Sequence, residues 1–224
     1  MRSSPFHPSP LVRARILGLY LAEIRRKAGL LAGIRAAAAL SSPATLRRQS
    51  ALAGVGATPI LHAVVGAVAT YKALARSLGT HRALGTVRAA VVAAARGLAA
   101  PTVALPPGTD PLDDLAASLE ATLSVGQELG VYEVRWLEGA PGTVQLEILR
   151  CRIHELCHAA GAPEATSCFC DAEAPVLTRD SHLVLVRDMT LARGAPLCRF
   201  TFHVVGDLEA RREPSRPPPA PAHV

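Results

Sequence analysis

From Leu11 to about residue 125, apolar residues return at three- and four-residue steps, whereas beyond Val131 they alternate in steps of two. The first pattern predicts helices and the second strands. Leu17, Tyr20, Leu21, Ile24, Ala28 and Leu31 form one stripe, with Arg25, Arg26 and Lys27 mainly beside it, so residues 11–40 read as one or two amphipathic helices. Ser41, Ser42 and Pro43 break the pattern, and a second helical region starts near Pro59. Gly79 is a stop signal, and Thr80 opens an Ala-rich helix reaching about Gly97. Residues 100–111 hold four prolines and read as a connector. Asp110 before Pro111 predicts an N-cap for a helix that closes before Gly126.

The strand half begins with Tyr132, Val134 and Trp136 on one face. Ala140-Pro141-Gly142 turns the chain, and Val144, Leu146 and Ile148 share the next strand face. A helix is expected from about Cys151 to Ala160, ended by Gly161-Ala162-Pro163, and a shorter one over Ser167 to Ala174. HLVLVRDMTLARG and LCRFTFHVV complete a β-β-α-α-β-β order. The expectation is an α+β fold: an Ala-rich helical half packed on a four-stranded, predominantly antiparallel sheet. Three segments follow: a basic helical arm over residues 1–43, the α+β domain over 44–210, and a disordered Pro-rich tail over 211–224.

Composition changes this picture in two ways. Half of the residues are hydrophobic, but the aromatics are only Trp136, three tyrosines and four phenylalanines, so Ala, Leu and Val must close the core. The net charge of +6 is uneven: residues 1–50 carry nine Arg or Lys against the single Glu23, while residues 101–174 carry twelve acidic groups against three arginines. Basicity therefore belongs to the arm and is no nucleic-acid footprint for the domain. The arm is expected to bury its stripe against its own domain or a second subunit in a homodimer, with an anionic membrane surface the less favoured partner. Gly54, Gly56, Pro59, His62 and Gly66 interrupt the uncharged run of residues 51–71, which reads as a buried helix and not a membrane span. Five unevenly spaced cysteines argue for a reducing, cytoplasmic setting over a disulfide framework.

Four of those cysteines lie in CRIHELCHAAGAPEATSCFCDAEAP, residues 151–175, with two histidines between the first pair. On a helical wheel Cys151, His154, Glu155 and His158 fall within about 100° of arc, while Cys157 points elsewhere. An imidazole one turn away lowers a thiol pKa, which makes Cys151 with His154 or His158 a candidate nucleophile and base. The alternative is zinc held by Cys151, His154, His158, Cys168 and Cys170, although C-x2-H-x3-H followed by C-x-C is not a standard structural zinc spacing. Core packing of the cysteines carries comparable weight. Asp171, next to Cys170, suits orienting an imidazole, binding a substrate cation or activating water. Strand parity sends Cys198 inward with Phe200 and Phe202, into the core or a pocket wall.

ILRCRIHELCHAAGAPE, CFCDAEAP and HLVLVRDMTLARGAPLCRFTF together resemble the L-2-amino-thiazoline-4-carboxylic acid hydrolase family, across roughly residues 44–205. The positions that carry the resemblance are Cys151, Gly161 to Glu164, Cys170 with Asp171, Arg187 to Thr190, Ala192 to Gly194, and Cys198 to Phe202. The chain differs in having Ile153-His154 after the first motif cysteine, and in adding Cys157, His158 and Cys168. The terminal strand pattern also resembles, more weakly, the four-vinyl reductase ligand-binding domains. The first resemblance implies hydrolytic opening of a small sulfur-containing cyclic amidine, giving N-carbamoyl-cysteine in the named enzyme. It also implies that Cys170 and Asp171 join Cys151 and a histidine in one pocket, with Cys151 or Cys170 as nucleophile, His154 or His158 as base, Asp171 as orienting or substrate-binding acid, and Arg187 and Cys198 on its wall. No cofactor is required in that reading. A non-catalytic small-molecule or metal-binding domain is the competing expectation.

Overall fold

The computed structural model describes residues 9–51, 59–98, 110–177 and 183–204. The expected loose N-terminus, most of the 100–111 connector and the 211–224 tail lie outside these residues.

The helical half opens with α1 (Pro10–Ala28), whose N-cap Ser9 accepts from Val12 N. Gly29, at φ +88°, separates it from α2 (Leu30–Leu40), so the arm is two helices. Next come α3 (Pro43–Ala51), α4 (Pro59–Leu78) and α5 (Thr80–Leu98), with Gly79 at φ +77° ending α4 where its sequence position suggested. The sequence reading missed α3, which lies where a break was expected. Ser42 accepts from Thr45 N at 3.2 Å, and Thr45 Oγ1 donates to Ala39 O at 2.7 Å. These side-chain bonds start a helix that has no apolar stripe to betray it.

α1 and α2 belong to the same core as α4 and α5: Tyr20, Ile24, Ala32 and Ala36 are buried with Val64, Val68, Val87 and Ala90. The arm's stripe is buried only at its centre, since Leu17 and Leu31 remain 47% and 69% exposed. Small residues permit close helix spacing. A Cβ on Gly66 of α4 would lie 2.8 Å from Leu40 Cδ2, so a larger residue there would force the Leu40 side chain of α2 to move. Among the described residues no helix is long and apolar enough to cross a membrane.

Asp110 caps α6 (Pro111–Glu128), its carboxylate accepting from Leu112 N at 2.8 Å. The helix runs through Gly126, beyond the predicted end, and the chain reverses at Gly130 instead, at φ +65°. Strands β1 (Tyr132–Leu137), β2 (Thr143–Cys151), β3 (Leu183–Met189) and β4 (Cys198–Val204) form one antiparallel sheet in the order β1-β2-β4-β3. Leu146, Ile148, Phe200 and Phe202 pack beneath Leu112, Leu115 and Leu119 of α6. Between β2 and β3 lie α7 (Arg152–Ala159) and α8 (Thr166–Leu177). Tyr132 and Cys151 touch both the helical and the sheet core, joining them.

The other sheet face carries a charge ladder. Glu147 on β2 stands opposite Arg135 on β1 and Arg199 on β4. It accepts from Arg135 Nε at 3.0 Å and Arg199 Nη2 at 2.8 Å, and is 1% exposed. The Arg135 and Arg199 hydrogen bonds lower its pKa below the ordinary carboxylate value.

Candidate functional site

The cysteine-rich stretch divides into two groups. Cys151 ends β2 with extended backbone, φ −131° and ψ 111°, and precedes α7 as its N-cap residue. A helical wheel therefore does not apply to it, which corrects the expected one-faced set of Cys151, His154, Glu155 and His158. Glu155 is held instead by Arg152 Nη1 at 2.7 Å and by Arg150. That leaves His154 and His158, one turn apart, with ring centroids at 4.3 Å and planes 55° apart. His154 Nδ1 is buried without a hydrogen-bond partner, and burial followed by the neighbouring His158 charge lowers its pKa.

Cys157 and Cys168 are core residues. Both are fully buried in the helical core. Burial pushes the thiol pKa of Cys157 to about 11 and that of Cys168 to about 12. Cys168 Sγ lies 3.8 Å from Leu84 O. Among the described residues no three His, Cys, Asp or Glu side chains gather closely enough to hold a metal ion. The five residues of the zinc alternative, Cys151, His154, His158, Cys168 and Cys170, are thus spread over two helices and a strand end.

Cys170 and Asp171 line a separate cavity of about 350 Å³ with Arg88, Ser167, Leu185, Arg187, Thr190, Ala192 and Arg193. Cys151, His154 and His158 are not among the groups lining it. The walls come from α5, α8, β3 and the turn after β3. Arg88 Nε lies 2.9 Å from Asp171 Oδ2, and Arg187 Nη2 lies 3.8 Å from Asp171 Oδ1. Arg187 Nη1 also donates to the Cys170 carbonyl, and Arg88 Nη2 donates to Ser167 Oγ at 3.3 Å. Side-chain pairing and capture of a backbone carbonyl together fix the Cys170-Asp171 turn of α8.

Two further anchors set α8 itself. Tyr71 on α4 donates to Glu164, and Lys72 donates to Ala160 O, clamping the Gly161–Glu164 turn that leads into α8. Burial, then the Glu164 hydrogen bond, raises the Tyr71 pKa to about 12. Cys198 stands behind the cavity and does not line it: its Sγ accepts from Leu191 N at 3.3 Å, tying the post-β3 turn to the sheet.

Of the residues lining the cavity, Cys170, Asp171 and Arg187 are candidates from the sequence, whereas Arg88, Ser167 and Arg193 are not. The available signal for Arg88 was a cation in the middle of an otherwise Ala- and Val-rich helix. Arg193 sits inside the Ala192-Gly194 motif segment, where position in the motif gives it no distinct chemical signal.

Residues 59–202 match the family model described as L-2-amino-thiazoline-4-carboxylic acid hydrolase. Every residue lining the cavity falls inside that span, which covers more than half of the chain. No curated protein and no solved structure matches the chain.

Proposed function

The chain belongs to the L-2-amino-thiazoline-4-carboxylic acid hydrolase family, and from that premise we propose that it hydrolyses a small cyclic C–N/C–S substrate in the cavity beside α8. The observation that carries this reading is one polar cavity, inside the matched span, that puts a cysteine and an arginine-held aspartate together.

In the proposed route the Cys170 thiolate adds to the amidine carbon between ring nitrogen and sulfur. The ring C–S bond breaks, the ring sulfur leaves as a thiolate and takes a proton, and an S-amidino enzyme remains. Water then adds to that carbon and the Cys170 sulfur departs, leaving a carbamoyl product and a regenerated thiol. The net change is addition of one water. Asp171 would accept hydrogen bonds from the amidine N–H groups and then from the attacking water. The route uses the chain's own thiol and carboxylate, and addition of zinc is a control in its assay. A reduced cytoplasmic setting suits a free nucleophilic thiol. A homodimer through α1 and α2 would cover the exposed Leu17, Leu30, Leu31 and Ile34.

The test is incubation of purified, chelator-treated protein with L-2-amino-thiazoline-4-carboxylate. Release of one thiol per ring and a product heavier by one water support the reading. Tight binding of rings with no turnover, with or without zinc, would refute it in favour of a ligand-binding domain.

A further inference from the structure

The three cations around the cavity are not equivalent. Arg88 is paired with Asp171 at 2.9 Å and reaches Ser167, while Arg187 faces the second Asp171 oxygen and holds the Cys170 carbonyl. Arg193 has no such commitment: among the described residues its guanidinium makes no hydrogen bond or ion pair, and the residue is exposed at the cavity. Three guanidinium groups against the one carboxylate leave the lining with a net charge of +2. Such a lining favours a substrate that brings negative charge of its own.

The backbone beneath Arg193 is built to present it. Leu191–Arg193 is a 3₁₀ turn in which Arg193 N donates to Thr190 O at 3.0 Å and Gly194 N donates to Leu191 O at 3.0 Å. Gly194 closes the turn at φ +83°, a conformation that suits glycine. Leu191 N donates to Cys198 Sγ on β4, an interior strand, so the turn is anchored in the sheet. The fixed turn removes the backbone's share of the ordering cost when the guanidinium binds a planar anion, and the guanidinium's fork matches a carboxylate.

We infer that Arg193 is the specificity residue of this site, engaging a carboxylate carried by the ring substrate while Arg88 and Arg187 stay on Asp171. This assignment rests on the proposed ring chemistry for the identity of the substrate, but its charge logic is a statement about binding.

Arg193→Gln keeps a hydrogen-bonding head without the charge, and exposure of the residue makes it tolerable to the fold. The wild-type and R193Q proteins are compared on L-2-amino-thiazoline-4-carboxylate and its 4-carboxamide, reading kcat and KM for each and binding of both by calorimetry. The expected result is a fall of about 10–100-fold in the carboxylate-over-carboxamide ratio of kcat/KM, expressed chiefly in KM, with Arg193→Lys in between. An unmoved ratio in folded R193Q overturns the assignment even if the ring is opened. Should neither protein open a ring while R193Q alone loses its binding preference for the carboxylate, the hydrolase reading falls and the Arg193 assignment stands. If the wild type neither binds nor opens the carboxylate, both fall.

Discussion

The α7 turn and the α8 cavity each offer a cysteine, polar neighbours and partial exposure, yet they are built from different sources. In α7 the notable groups are sequence neighbours: His154 and His158 meet because they are one helical turn apart. In the cavity the groups around Cys170 and Asp171 arrive from α5, β3 and the turn after it, over a hundred positions along the chain. Local clustering of reactive residues is cheap to arrange and needs no tertiary support. Convergence of remote cations on one carboxylate requires the whole fold, and that marks the cavity as the stronger candidate.

After loss of the attacking sulfur itself, the largest effect that would sharpen this contrast is at Asp171. Asp171→Asn should lower kcat/KM by about 100-fold, in the range for loss of a positioned carboxylate, while His158→Gln should stay within a few-fold. An Asp171→Asn variant of near-normal turnover would break the comparison. Thiol reactivity gives a second separation. At pH 8 a small alkylating reagent should modify Cys170 and Cys151, which are partly exposed, before Cys157 and Cys168, whose thiols are held at about 11 and about 12. Peptide mass mapping reads the order, and early labelling of Cys168 would contradict its placement in the core.

The framework of both regions was legible in the sequence wherever a local signal existed. Asp110 before Pro111, Gly79 after the α4 stripe and the alternation of Phe200 and Phe202 all marked elements that are present. Failures came where tertiary contacts overrode local pattern. α6 runs through Gly126 to Glu128, with Leu123 still packed on the sheet core before the glycine and Leu129 on the helical core after it. Cys151 was read as helical, but its pairing with Tyr132 keeps it in the β2 ladder. At the site, Asp171 and Arg187 were legible from motif order, whereas the Arg88–Asp171 pair joins residues with no local relation.

Smaller effects follow from supports behind the cavity. Cys198→Ala removes the acceptor for Leu191 N and frees the turn carrying Arg193, so KM should rise about three- to tenfold, with about 1–2 kcal/mol lost from stability. Chemical denaturation and steady-state kinetics check the two parts, and unchanged KM would show that the turn holds itself. The smallest expected effect concerns His154. Its folded pKa lies below the ordinary histidine value, so the unfolded chain binds the proton more readily and stability should decline as pH falls below about 6.5. His154→Gln should flatten that decline without altering activity at pH 8, as thermal melts between pH 8 and 5 would show.

The most direct measurement of the central claim is a comparison of Cys170→Ala with Cys151→Ala on L-2-amino-thiazoline-4-carboxylate, each variant first shown to be folded by circular dichroism. The cavity account predicts that Cys170→Ala abolishes thiol release and that Cys151→Ala retains at least about a third of wild-type kcat, since only the former removes the attacking sulfur. Full turnover by Cys170→Ala, or loss of turnover confined to Cys151→Ala, would contradict it and move the chemistry to the α7 turn.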